Sequence, residues 1–133
     1  FNLDLSHGEC RKIWNGCFRG WIPGVHETLK KVSTPVYALS NTNICHMEDY
    51  FFSLPETKCF TKIFTSYRLG FRKPDPKIYQ LAFDGLNFSK ESILFIDDLP
   101  ENIAAAQAFG FQAEQSVYSL EKFKEILKNY RLI

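Results

Sequence analysis

A short apolar run, Ile93 to Ile96, ends abruptly in two adjacent carboxylates, Asp97 and Asp98. The run has the length of a buried strand. A strand interior cannot hold two unpaired charges, because each carries a large desolvation cost. The carboxylates therefore belong where the strand emerges at the edge of a sheet, facing something cationic. Oxygen ligands of this kind suit a hard divalent cation such as Mg²⁺. In open α/β sheets, ligands bind outside the carboxyl ends of the strands. The plain alternative is a helix-capping pair ahead of Pro100, since Asp favours the first turn of a helix. One carboxylate can serve that way; two directly behind an unbroken apolar run are more than a cap needs.

Apolar runs and helical periodicities alternate along the rest of the chain. Ile13, Cys17 and Trp21 follow helical spacing and predict a helix near residues 7–19. Pro23-Gly24 breaks the chain, and Val25, Leu29 and Val32 mark a helix beyond it. Pro35 to Leu39 reads as a buried strand ending at Ser40. Asn43 can cap a helix with Met47, Tyr50 and Phe51 on its apolar face, ended by Pro55. Lys62 to Ser66 is a second strand. Asp75 and Pro76 open a helix carrying Ile78, Leu81, Ala82 and Leu86. Ser92 to Ile96 is the third strand. Pro100 opens the next helix, Ile103 to Phe109, and Gly110 stops it. Ala113 to Val117 is a fourth strand, and Ser119 caps a last helix with Leu120, Phe123, Ile126 and Leu127 on one face. Such alternation implies an α/β fold: a mostly parallel sheet with right-handed crossovers and helices on both faces. A chain of 133 residues, 45 % apolar, fits one domain with a real core.

Composition excludes several classes. A net charge of +1 gives no support for a nucleic-acid partner or an anionic membrane surface. No apolar run is long enough to span a bilayer, and Asn2, Asp4, Ser6 and His7 are not the start of a secretory signal. Cys10, Cys17, Cys45 and Cys59 match neither a zinc site nor a compact disulfide framework. Reduced thiols in a cytoplasmic protein are the expectation. No Gly-x-Gly-x-x-Gly or phosphate-loop pattern appears, which argues against a dinucleotide or nucleoside triphosphate site. No Gly-x-Ser-x-Gly elbow supports a hydrolase triad. His7, His26 and His46 have no metal-ligand spacing. The chain begins at Phe1, without a hydrophobic strand near its start, and reads as the remainder of a longer polypeptide.

Two loops carry further chemistry. Lys73 lies between Arg72 and Pro74 in a loop stiffened by Pro74 and Pro76. An isolated lysine is ordinarily a solvated one; held in such a loop it can be aimed at an anion. Ser40-Asn41-Thr42-Asn43 follows a buried strand directly. It is a turn rich in capping residues, yet Ser40 sits at the same strand-end level as Asp97. Its hydroxyl and nearby backbone N–H groups can bind a phosphate oxygen.

Taken together, Ser40-Asn41, Lys73-Pro74-Asp75-Pro76 and Asp97-Asp98 resemble the second, third and fourth motifs of the haloacid dehalogenase superfamily. Order and spacing match over residues 20–127. So does the context: Ser66-x-x-x-Gly70-x-x-Lys73-Pro74, then an apolar strand, Asp-Asp, and Asn102 four residues on. The pattern is most similar to the sugar-phosphate phosphatase-like branch, where a small helical cap is inserted after the first motif. The resemblance implies a Rossmann-type three-layer core over residues 23–133 and the tail of a cap over residues 1–22. It implies a Mg²⁺-dependent phosphatase acting on a small phosphorylated metabolite through an aspartyl nucleophile. Ser40 and Asn41 would bind the phosphoryl group and Lys73 would balance its charge. Asp97 would ligate the metal, with Asp98 helping directly or through water. The first motif, Asp-x-Asp after a hydrophobic strand, is missing. In the family that strand lies between those ending at Ser40 and Asp97. The expectation is that this chain lacks its nucleophile and is inactive alone, the missing segment being supplied in cis or by another chain. The alternatives are a non-catalytic binding or scaffold protein of the same fold, and a 2-haloacid dehalogenase, which has no need of an acidic metal pair.

Overall fold

The computed structural model describes residues 4–16, 20–49 and 51–133. Among them, helix α1 spans His7–Asn15, α2 Val25–Leu29, α3 Ile44–Asp49, α4 Ser66–Leu69, α5 Pro76–Phe83, α6 Pro100–Phe109 and α7 Leu120–Asn129. Strands β1 (Tyr37–Ser40), β2 (Lys62–Thr65), β3 (Leu94–Asp97) and β4 (Gln112–Gln115) alternate with the later helices. The fold is α/β with parallel strands. The residues that open the helices do so for local reasons. The Asp75 carboxylate accepts from Lys77 N and Pro76 needs no donor at the first position of α5. Ser119 accepts from Lys122 N at the start of α7. Gly110 ends α6 at φ 107°, a left-handed conformation that costs a glycine nothing.

Several boundaries differ from the sequence expectation. The expected helix over residues 7–19 ends at Asn15, and residues 17–19 lie outside the described set, as does Tyr50. Pro55 does not end α3, which closes at Asp49; it begins a 3₁₀ turn, Pro55–Cys59. Ser66 is not the last residue of β2 but the first of the one-turn helix α4. Leu86 lies beyond α5, whose last residue is Phe83. Strand β3 starts two residues late, after a 3₁₀ turn at Lys90–Ser92, and includes Asp97.

Sheet topology positions the site. Strand β1 pairs in parallel with β2, Ser40 opposite Thr65; β3 pairs in parallel with β4, Asp97 opposite Gln115. The two pairs form separate two-stranded sheets, so among the described residues β1 and β3 each have one bonded neighbour. Main-chain groups point alternately to the two sides of a strand. The Val36 carbonyl accepts from Thr61 N on the β2 side, and the Ile93 and Asp97 carbonyls accept from Gln112 N and Ser116 N on the β4 side. By alternation, the backbone groups of Tyr37 and Leu39, and those of Leu94 and Ile96, face the gap.

Helices α5 and α6 pack on each other and α6 covers β3 and β4, while α2 touches α7. Phe95 packs into the core formed with Ile78, Tyr79, Ile103, Ala106, Phe111 and Ala113. The next residue, Ile96, shares a cleft with Val25 of α2 and Phe123 of α7. Neighbouring strand residues thus feed opposite layers. Leu39 of β1 packs against the same core as Phe95, so the α5–α6 layer ties the two sheets together across the gap. At the N-terminal end, α1 lies on α3. Arg11 makes a bidentate bond to Asp49, and Asn15 Nδ2 donates to the same carboxylate at 2.9 Å.

Candidate active site

The carboxyl ends of β1 and β3 and the loop before α5 converge on one ammonium group. Lys73 Nζ donates to Asp97 Oδ2 at 2.6 Å and to the Leu39 carbonyl at 2.7 Å. That carbonyl is one of the gap-facing groups of β1, so the lysine spans the space between the sheets. The Lys73 side chain is 10 % exposed and that of Asp97 6 %. The ammonium also lies 5.6 Å from the centre of the Phe95 ring. A buried ion pair survives where additional hydrogen bonds satisfy the remaining lone pairs. Here they do: Asp97 Oδ1 accepts from Leu99 N at 3.0 Å and Asn102 Nδ2 at 2.8 Å. Burial pushes the Asp97 carboxyl up. The bonds from Lys73, Leu99 and Asn102, with the lysine charge, outweigh it and hold the group below the usual carboxylate range.

The two carboxylates do different things. Asp97 holds the Leu99 N–H just ahead of α6, which has no side-chain cap, and pairs with Lys73. The Asp98 carboxylate has no hydrogen-bond or ion-pair partner among the described residues; only its backbone carbonyl is engaged, by Gln115 Nε2 at 2.8 Å. It stands half-buried in the wall of a cleft of about 370 Å³, with Asp97, Ile22, Val25, Ile96 and Phe123. Asn102 is 2 % exposed, and its Oδ1 is buried without a donor. An orphaned carbonyl oxygen and a free carboxylate beside the same aspartate form an oxygen-rich set that fits a hydrated hard cation. Mg²⁺ characteristically takes one or two carboxylates and completes its shell with water and phosphate oxygens. No cluster of three or more His, Cys, Asp or Glu that could hold a metal occurs among the described residues.

Ser40 ends β1 and is half-buried. Asn41 is turned toward the lysine loop: its Nδ2 donates to Lys73 O at 2.9 Å and its Oδ1 accepts from Lys73 N at 2.8 Å. Asn41, Lys73 and Asp97 are therefore brought together at one end of the strands, with Ser40 and Asp98 their chain neighbours. Sequence reasoning placed Ser66 in the motif spacing but missed its contact: its hydroxyl accepts from Thr42 N at 3.0 Å and donates to Thr42 O at 2.9 Å. It also missed Tyr79, whose hydroxyl donates to Asn102 O at 2.9 Å beneath Asp97. Burial first, then the Asp97 charge, push that phenol up to about 12. Ser66 stands in the Ser66-x-x-x-Gly70-x-x-Lys73 spacing but without a role, and Tyr79 is not among the residues that spacing singles out.

Comparison with known proteins identifies the family and the fold. Residues 22–110 match the family model described as haloacid dehalogenase-like hydrolase. A D-ribitol-5-phosphate phosphatase of Bacteroides thetaiotaomicron is 29 % identical over 125 residues, covering 84 % of this chain and 58 % of that protein. An (S)-2-haloacid dehalogenase of Pseudomonas fluorescens is 31 % identical over 83 residues, covering 62 % of this chain and 37 % of that protein. The chain thus spans well under two thirds of the length of these relatives. Among solved structures, a protein of Porphyromonas gingivalis described as a predicted HAD-like family hydrolase superposes with TM-score 0.84 at 22 % identity, over 96 % of this chain and 66 % of that one. A HAD family enzyme of B. thetaiotaomicron in complex with magnesium and inorganic phosphate superposes with TM-score 0.73 at 23 % identity, over 86 % and 62 %.

Proposed function

The chain belongs to the haloacid dehalogenase-like hydrolases, and from that premise we propose that the whole protein is a Mg²⁺-dependent phosphatase of the sugar-phosphate branch, acting on a small phosphorylated metabolite. The observation that carries the reading is the division of labour between Asp97 and Asp98. A hydrolase that transfers phosphoryl groups needs a fixed cation and a place for a metal. Lys73, locked by Asp97, is the first, and the unpaired Asp98 is the second. A dehalogenase has no use for that free carboxylate. The ribitol phosphatase relative and the neighbour carrying magnesium and phosphate support the same side.

In this reading Asp98, with Asp97 adjoining, holds the metal, and Asn102 Oδ1 offers an acceptor for water beside them. The metal, when bound, supplies positive charge to the phosphoryl oxygens. Ser40 binds a phosphoryl oxygen through its hydroxyl and adjacent backbone N–H groups. Lys73 neutralises charge between phosphate and nucleophile, already oriented before substrate arrives. Preorganised charge of this kind carries most of phosphoryl-transfer catalysis. The nucleophile and the proton-transfer group sit on a further strand that fills the gap between β1 and β3, in cis or from another chain, where the backbone groups of Leu39 and Ile96 meet it. The chain by itself is inactive. Cys10, Cys45 and Cys59 are free thiols, and no helix among the described residues is long and apolar enough to cross a membrane; the reading places the protein in the cytoplasm. The test is turnover of p-nitrophenyl phosphate by the whole protein, with Mg²⁺ and after chelation. Chelator-sensitive phosphate release is expected. Metal-independent halide release from a 2-haloacid, with no phosphate release, would overturn the assignment.

A further inference from the structure

Asn41 spends both ends of its carboxamide on a single residue. Its Oδ1 accepts from the Lys73 N–H and its Nδ2 donates to the Lys73 carbonyl. Two bonds to the N–H and C=O of one residue fix that residue's main chain in position and in orientation. The anchor is itself held. The residue after Asn41, Thr42, has its N–H and its carbonyl both engaged by the Ser66 hydroxyl, and Ser66 is 5 % exposed. The Lys73 side chain then returns to β1 at the Leu39 carbonyl and reaches β3 at Asp97. Backbone and ammonium of one lysine are thus referred to the same strand end.

A lysine needs this more than most residues. Its charge rides on a flexible four-carbon stem, so a loop free to drift would carry the ammonium with it even while Asp97 held on. We propose that Asn41 is a positioning residue: its side chain aims Lys73 by clamping the lysine's main chain, and it does not bind phosphate. What Lys73 acts on rests on the phosphatase reading above; the clamp rests on geometry alone. Both polar atoms of the Asn41 side chain are committed to Lys73, which leaves the hydroxyl of Ser40 and backbone N–H groups for the anion.

The experiment compares the whole protein with its Asn41→Ala and Asn41→Asp variants. Asn41→Asp is isosteric and keeps the acceptor for Lys73 N–H while losing the donor to the carbonyl, so it keeps the question open should Asn41→Ala not fold. Three quantities are read: kcat on p-nitrophenyl phosphate, the dissociation constant of inorganic phosphate, and the Lys73 side-chain signals in ¹³C and ¹⁵N NMR. Misplacement of a catalytic group by a fraction of its contact distance costs about ten- to hundredfold. Positioning predicts that loss in kcat, phosphate affinity held within about threefold, and shifted or broadened Lys73 signals, with Asn41→Asp intermediate. A tenfold loss of phosphate affinity with the Lys73 signals unchanged would make Asn41 a phosphate ligand and overturn the proposal. Parental kcat with parental Lys73 signals would overturn it equally. If the parent itself turns over no phosphate ester, the phosphatase reading fails, and the Lys73 signals alone decide: altered signals uphold the clamp, unaltered signals refute it.

Discussion

Beneath α5 and α6 the molecule is closed by contact; at the strand ends, between β1 and β3, one lysine bridges the gap. In the first region Ile78, Tyr79 and Ala106 have no exposed surface, and the Phe83, Phe109 and Phe111 rings meet edge to face or tilted at 5.0–6.2 Å. In the second, every residue of β1 and β3 is half-buried, although the middle of a parallel sheet is normally its driest part. The core is self-sufficient because apolar packing needs no partner of a particular register. The gap needs one, because strand edges are rows of directed donors and acceptors. Beneath it Leu39 and Phe95 pack on one core, and between the strand ends the links are polar.

The largest expected effect fills that gap. Joining the chain to a segment that supplies a parallel strand should slow amide exchange at Tyr37, Leu39, Leu94 and Ile96 by about a thousandfold or more, as local opening gives way to global unfolding. Ala38, Ser40, Phe95 and Asp97, whose groups face β2 and β4, should change less. Equal slowing of both sets would mean that the gap is not a strand site.

Next in size are the polar links. In the whole protein, Asp98→Asn should lower Mg²⁺-dependent turnover by about two to four orders of magnitude with little change in Tm, because that carboxylate holds nothing together. Lys73→Met should lose a similar factor and also melt earlier, since it leaves Asp97 buried and unpaired, at about 3–5 kcal/mol. Stability and turnover assayed together separate the two roles; identical Tm losses in both variants would mean that Asp97 and Asp98 do not differ in this way.

Much of this site was legible because its residues stand next to chain punctuation. Asp97-Asp98 interrupts an apolar run, Lys73 precedes a proline, and Ser40 ends a strand. The fold was legible for the same reason: period and breakers reveal which segments alternate. What stayed hidden is what depends on who meets whom. Nothing in spacing says that Asn41 turns toward Lys73 rather than outward, that Ser66 holds Thr42, or that only one of two adjacent carboxylates is satisfied. The β1–β3 gap was foreseen through family resemblance, since periodicity finds strands and not their neighbours.

A core substitution sharpens the contrast from the other side. Ile78→Ala removes a fully buried side chain from the α5–α6 layer and should cost about 2–5 kcal/mol of stability. Its kcat, measured well below the melting transition, should match the parent, because Ile78 touches none of the polar links. A tenfold fall in kcat in folded protein would show that core and gap are mechanically one unit.

The smallest effect expected is acid sensitivity, because at Asp97 burial opposes the very bonds that depress its titration. The folded-state pKa lies below the unfolded value of about 3.9. The stabilisation from its ionised form is therefore complete above that value and is lost as pH falls through the folded pKa. Tm should drop more steeply below about pH 4 in the parent than in Asp97→Asn, which has no charge to lose at this position. Every other carboxylate titrates in both proteins, so the difference between the two curves isolates Asp97. Parallel curves would mean that the bonds to the Asp97 carboxylate do no more than offset its burial, and that the net downward shift is absent.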